Sequence, residues 1–152
     1  MCKVLESIND VIVHVGDVSC ANIAKLINNM ISFGCANIVF EGMVLGAKAG
    51  IDMRMLREII RNSAGSNYHV QITLPIIFGG NFEPGFRVNL AIKDIGLALE
   101  MAKECSVPTL IGAVVEQRLL EAKASGLSDK GTQSLILPLE RLAGVEVRTP
   151  QT

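Results

Sequence analysis

At 152 residues the chain is long enough for one compact core, or for one domain of a larger protein. Its 14 basic and 15 acidic residues leave a net charge of −1, which excludes the electrostatic footprint of a nucleic-acid binder. Hydrophobic residues make up 49% and charged residues 19%, a balance that points to surface covered by another subunit or domain.

In chain order, residues 3–8 read as helical, and VIVHVG at 11–16 is the one β-branched run, predicting a single short strand. A lone strand cannot satisfy its own backbone, so helix, strand and long helix together read as the end of a sheet domain leading into a helical one. From Ser19 or Cys20 to about Ala49 the pattern is helical with no proline, and Gly50 supplies the stop. Thirty residues of helix would span roughly 45 Å. Its most apolar window, ISFGCANIVFEGMVLGAKAG, contains Glu41 and Lys48, which predicts a wholly buried helix of a soluble domain and no membrane partner.

Asp52 is placed to cap a second helix running to Arg61, with Leu56, Ile59 and Ile60 inward. NSAGSN (62–67) is a turn, residues 68–78 are helical in part with Pro75 interrupting, and GGNFEPG (79–85) is a loop. Helical periodicity resumes over 88–105, where Leu90, Ile95, Leu97, Leu99 and Met101 mark a broad apolar surface. Pro108 opens a helix to Ala124, and residues 132–144 supply a last, shorter one.

Cys2, Cys20, Cys35 and Cys105 lack paired spacing, and MCKVLESIND lacks the apolar core of a secretory signal. The expectation is a cytoplasmic protein with reduced thiols and no metal. His14 and His69 have no acidic or thiol partner at ligand spacing and read as structural. Gly42, Gly46 and Gly50 give the long helix a flat side, open to a neighbouring helix of the chain or to another subunit.

The chemistry concentrates in ANIAKLINNMISFG (21–34), where Asn22, Lys25, Asn28, Asn29 and Ser32 share one side of the helix. Ile23, Leu26, Ile27, Met30 and Ile31 cover the rest. Asparagine is a poor residue for a helix interior, so something other than helix stability selects it here. Lys25 alone would fit a lysine snorkelling at a helix edge, and the asparagines would fit polar spacers that fix register.

HVGDVSCANIAKLINN before a long helix, followed by FEPGFRVNLAIKDIGLALEMAKECSVP, resembles the C-terminal half of the β-hydroxyacid dehydrogenases. That family includes 3-hydroxyisobutyrate dehydrogenase and tartronate semialdehyde reductase, with 6-phosphogluconate dehydrogenase as a distant relative. The resemblance covers about residues 10–137 and rests on K-x-x-N-N and, some 60 residues later, F-x-x-x-L-x-x-K-D. It implies a mainly α, multi-helix domain built on one long N-terminal helix, like the C-terminal domain of 6-phosphogluconate dehydrogenase. Residues 1–16 would be the helix–strand remnant of a Rossmann domain, 17–147 the substrate-binding and oligomerisation domain, and 148–152 a disordered tail. No G-x-G-x-x-G fingerprint is present in the sequence, so the main platform for the cofactor, NAD or NADP, is expected elsewhere.

By the same resemblance Lys25 is the proton-transfer residue. Such a lysine works best where an apolar, partly dry setting destabilises its charge. Asn29, with Asn28 behind it, would hold a small carboxylic-acid substrate. Lys93 would contact the cofactor, with Phe86 and Asp94 lining the closed cleft; the rival for Lys93 and Asp94 is a solvated helix face. Ser19 and Ala21 stand where relatives usually carry G-x-G, and Gly131 where they commonly carry an acid. The resulting expectation is half of an oxidoreductase for small 3-hydroxy acids or the matching semialdehydes, inactive alone and forming dimers or tetramers. Its rivals are a non-catalytic oligomerisation module descended from such an enzyme, and a helical binder of acidic metabolites.

Overall fold

The computed structural model describes residues 11–149. Helix α1 (Val18–Lys48) is the axis of the domain. Helix α2 (Met53–Arg61), a π-helical turn (His69–Thr73) and the short α3 (Leu74–Phe78) follow. Then come α4 (Val88–Glu104), α5 (Leu110–Ala124), a 3-10 turn (Thr132–Leu135) and α6 (Ile136–Ala143). The mainly α architecture around one long N-terminal helix is as expected, and α4, α5 and α6 all pack on α1.

The second half of α1 builds the core. Phe33, Ala36, Phe40, Met43 and Val44 pack against Val88, Ala91 and Ile95 of α4, Val115 and Leu119 of α5, and Leu135 and Ile136 at the start of α6. Within the apolar window 31–50, Ile38, Glu41 and Leu45 are exposed, so it is not the wholly buried helix that its hydropathy predicts, and the first half of α1 is exposed for most of its length. By length and composition alone α1 could cross a membrane. Its far end, however, is the centre of a helical bundle.

Several local expectations hold for the reasons given. Asp52 caps α2, its Oδ1 accepting from the Met55 amide at 2.8 Å. Pro75 lies in the first turn of α3, where its missing N–H costs nothing, and the preceding turn widens to π geometry. The N-terminus of α4 has no side-chain cap; the Val88 and Asn89 amides donate instead to the carbonyls of Lys130 and Ser128, at 3.0 and 3.1 Å. A single antiparallel bridge, Arg87 with Gly131, fastens the same corner.

Other expectations are corrected. Residues 11–15 do not form the predicted strand: a strand needs a neighbour for its ladder, and none is present among the described residues. The helix expected at 3–8 lies outside the described residues. On α2, Met53, Leu56 and Ile60 form the inward row at steps of three and four, and Ile59 falls between its members and is exposed. Arg148, assigned to a disordered tail, pairs with Glu140 at 2.7 Å and Glu146 at 3.2 Å, and Val147 before it is fully buried.

The three spaced glycines do different jobs. Gly50 ends α1 with a φ of +82°, and Gly46 lies where an added Cβ would come within 2.3 Å of Leu56 Cδ2. Gly42 faces open space. Gly42→Ala should therefore stabilise the chain by about 0.5–1 kcal/mol, the helix-propensity difference. Gly46→Val should destabilise it by about 1–3 kcal/mol through overpacking. Urea unfolding of both variants checks the opposite signs.

Candidate functional site

Lys25, Asn29 and Ser32 lie on α1 at successive steps of four and three, and Ala36, Phe40 and Met43 continue the same row. The last three are buried in the core. The polar residues thus occupy the inward-facing row where it emerges from the bundle, which accounts for asparagines in an apolar helix. Lys25 and Asn29 reach toward α4, and Ser32 toward the π-helical turn.

What Lys25 and Asn29 meet on α4 is Asp94. On α4 the buried residues are Val88, Ala91, Asp94, Ile95, Ala98 and Ala102, so a carboxylate sits within an apolar row. Its side chain is 6% exposed, whereas that of Lys25 is 51% exposed. Lys25 Nζ donates to Asp94 Oδ2, and Asn29 Nδ2 donates to the same oxygen at 2.8 Å. A buried carboxylate needs such partners, and here both come from one face of α1. The arrangement holds an amine and an amide side by side at the mouth of the domain, with the lysine half in water.

Phe86, on the loop before α4, stacks at a 38° tilt on Phe33 with 5.9 Å between ring centres. Phe33 follows Asn29 by one helical turn, so Phe86 walls the site on that side. Lys93 is exposed and makes no ion pair among the described residues. Asn28 is exposed, its Nδ2 3.4 Å from Asn29 Oδ1. The structure brings together Lys25, Asn29, Phe86 and Asp94, and leaves Asn28 and Lys93 on the rim. Asp94 is not part of a solvated face: its carboxylate is buried and bonded to Lys25 and Asn29. An acid within the buried row of α4 was the signal in the sequence for that role.

A second polar group adjoins the site. His69, buried at the start of the π-helical turn, places Nε2 3.1 Å from Ser32 Oγ and Nδ1 3.1 Å from Thr73 Oγ1. Phe40 and Tyr68 meet the ring edge-on, at 6.4 and 5.6 Å between centres. Burial pushes the His69 imidazole below its ordinary value of 6.5, and its hydrogen bonding to Ser32 offsets part of that shift. Among the described residues no cluster of His, Cys, Asp and Glu is arranged to hold a metal ion.

At Gly131 an added Cβ would lie 2.2 Å from Gln133 Oε1. The Gln133 amide donates to the carbonyls of Asn81 and Glu83, at 3.3 and 2.9 Å, tying the loop that carries Phe86. The absent side chain at 131 therefore leaves room for a clamp on the wall of the site.

The site is thus a lysine–asparagine pair held on a buried carboxylate where α1 meets α4. A sequence profile for the NAD-binding of NADP-dependent 3-hydroxyisobutyrate dehydrogenase matches residues 20–139. The chain belongs to the 3-hydroxyisobutyrate dehydrogenase family of β-hydroxyacid dehydrogenases, whose cofactor is NAD or NADP. It is 36% identical over 147 residues to 2-(hydroxymethyl)glutarate dehydrogenase of Eubacterium barkeri, covering 95% of this chain and 48% of that one. With 3-hydroxyisobutyrate dehydrogenase of Pseudomonas aeruginosa it shares 31% over 144 residues, 87% of this chain and 48% of the other. Among solved structures, Mycobacterium tuberculosis 3-hydroxyisobutyrate dehydrogenase with L-serine superposes with a TM-score of 0.79 at 24% identity, over 90% of this chain and 49% of that one. The chain spans about half the length of these relatives.

The His69 shift sets a pH dependence. The unfolded state, titrating near 6.5, takes up a proton that the native state resists, so stability falls as the pH drops through that value. Urea midpoints at pH 7 and pH 5 should show this loss, and His69→Gln should have a smaller slope. Equal slopes in the two proteins would remove His69 as the cause.

Proposed function

We propose that this chain is the substrate-binding half of an NAD(P)-dependent oxidoreductase for small 3-hydroxy acids or the matching semialdehydes. The observation that carries the reading is the joint commitment of Lys25 and Asn29 to the buried Asp94. It fixes a proton-transfer group and a hydrogen-bond donor on one face, where the core row of α1 opens to solvent.

In the oxidative direction Lys25, as the free amine, accepts the proton of the substrate hydroxyl. In the reductive direction its ammonium returns that proton to the carbonyl oxygen. Asn29 hydrogen-bonds the substrate oxygen or carboxylate, and Asp94 restrains both side chains so that neither must be ordered when substrate arrives. Phe86 excludes water on one flank. Exposed Lys93 would offer a cation to an anionic dinucleotide, a cofactor that would supply or take up hydride when bound.

The chain alone provides no dinucleotide fingerprint, and we assign that role to a separate Rossmann half. In the protein that joins both halves, Lys25→Ala should lower kcat by at least about a hundredfold. Full activity in that variant would remove Lys25 from the mechanism.

A second reading, a helical oligomerisation module, draws on a different face. Leu110 and Ile111 at the start of α5 are 79% and 72% exposed, and with Ile31 and Ile38 of α1 they border an apolar groove of about 780 Å³. Such a face suits a second copy of the chain, as a dimer or tetramer. The 152-residue chain should then show at least a dimeric solution mass and no saturable fluorescence change with NADH or NADPH. A monomeric mass would discard the oligomer, and saturable binding would mean that this half builds a cofactor surface unaided.

A further inference from the structure

The Lys25–Asn29 row has a third polar member with an unusual support. Ser32 continues it by one step, is half-buried, and is held by a histidine from another element. A serine hydroxyl has one donor and two acceptor positions. His69 Nε2 takes one of them and leaves the others for a ligand.

The support is rigid. The π-helical turn brings His69 against α1, Thr73 fixes the far ring nitrogen, and Phe40 and Tyr68 fix the ring plane. In the tautomer with its proton on Nε2 the ring donates to Ser32 Oγ and accepts from Thr73 at Nδ1, which leaves the serine O–H to donate to a ligand oxygen. Side chains three apart on a helix stand roughly 5 Å from one another, so Ser32 lies a few carbon–carbon bonds beyond the group that Asn29 holds.

We propose that Ser32, positioned by His69, is a subsite for a second oxygen-bearing group on the substrate, favouring 3-hydroxy acids with a polar side arm over those with a bare methyl. The proposal rests on the Lys25–Asn29 reading and adds a specificity determinant to it. Ser32 is the contact and His69 the positioning residue. A methyl group would leave the hydroxyl with His69 alone, whereas a carboxylate or hydroxyl oxygen would accept its proton, and sites built to hydrogen-bond a substrate group discriminate strongly against analogues that lack it.

The test is an NMR titration of the 152-residue chain with 3-hydroxyisobutyrate and, separately, with the dicarboxylate 2-(hydroxymethyl)glutarate. The dicarboxylate should bind at least about tenfold tighter, the scale of one hydrogen bond to a charged group. Ser32→Ala should bring the ratio of the two affinities close to one, and Ser32→Thr, which keeps the hydroxyl, should preserve most of it. His69→Phe should lower the ratio while folded spectra are retained. If Ser32 served only to satisfy the buried ring, the ratio would be unchanged in Ser32→Ala, and that result overturns the subsite while leaving Lys25 and Asn29 in place. If neither acid shifts the resonances of Lys25 or Asn29, the underlying reading fails, and the subsite with it.

Discussion

The burial of one carboxylate organises this domain. Asp94 stands in the apolar row of α4, where an ionised group without partners would cost several kcal/mol. Its partners come from Lys25 and Asn29, so the contact between α1 and α4 is specific in register as well as apolar. Sliding α1 by one residue would turn both side chains away and expose the acid to hydrocarbon. The lysine keeps its outer half in water, which limits the desolvation to one member of the pair. Packing, register and chemistry meet in a single contact.

The same helix divides the domain's surfaces. Its inward row carries the polar residues and then the core, while the opposite side carries Ile31 and Ile38 beside the exposed start of α5. One surface offers hydrogen bonds and charge, the other almost none.

The departures from the family pattern have local physical counterparts. Gly131 gives up a side chain, and Gln133 uses the space to hold the Phe86 loop through two backbone carbonyls. Ser19 and Ala21 lie exposed in the first turns of α1. Gly131 is buried and leads into the core residues Leu135 and Ile136, whereas Ser19 and Ala21 face solvent.

Much of the helical order was legible because its signals are local. The uninterrupted period of α1, the Asp52 cap, the interruption at Pro75 and the stop at Gly50 each act through neighbours within a turn or two. The polar composition of residues 22–32 was equally visible and marked the site. The sequence could not say which side of α1 would be inside, because apolar residues cover most of its circumference. It misplaced Ile59 for a similar reason: on a nine-residue helix, one residue's offset decides burial. Nor could it show that Asp94 answers Lys25 across 69 residues, that His69 rests on Ser32, or that Arg148 is held by Glu140. Local spacing determined the helices and the kinds of side chain at the site. Which of those side chains share one dry contact depended on how α1, the π-helical turn and α4 pack, because burial and hydrogen bonding between distant segments exist only once the chain has closed on itself.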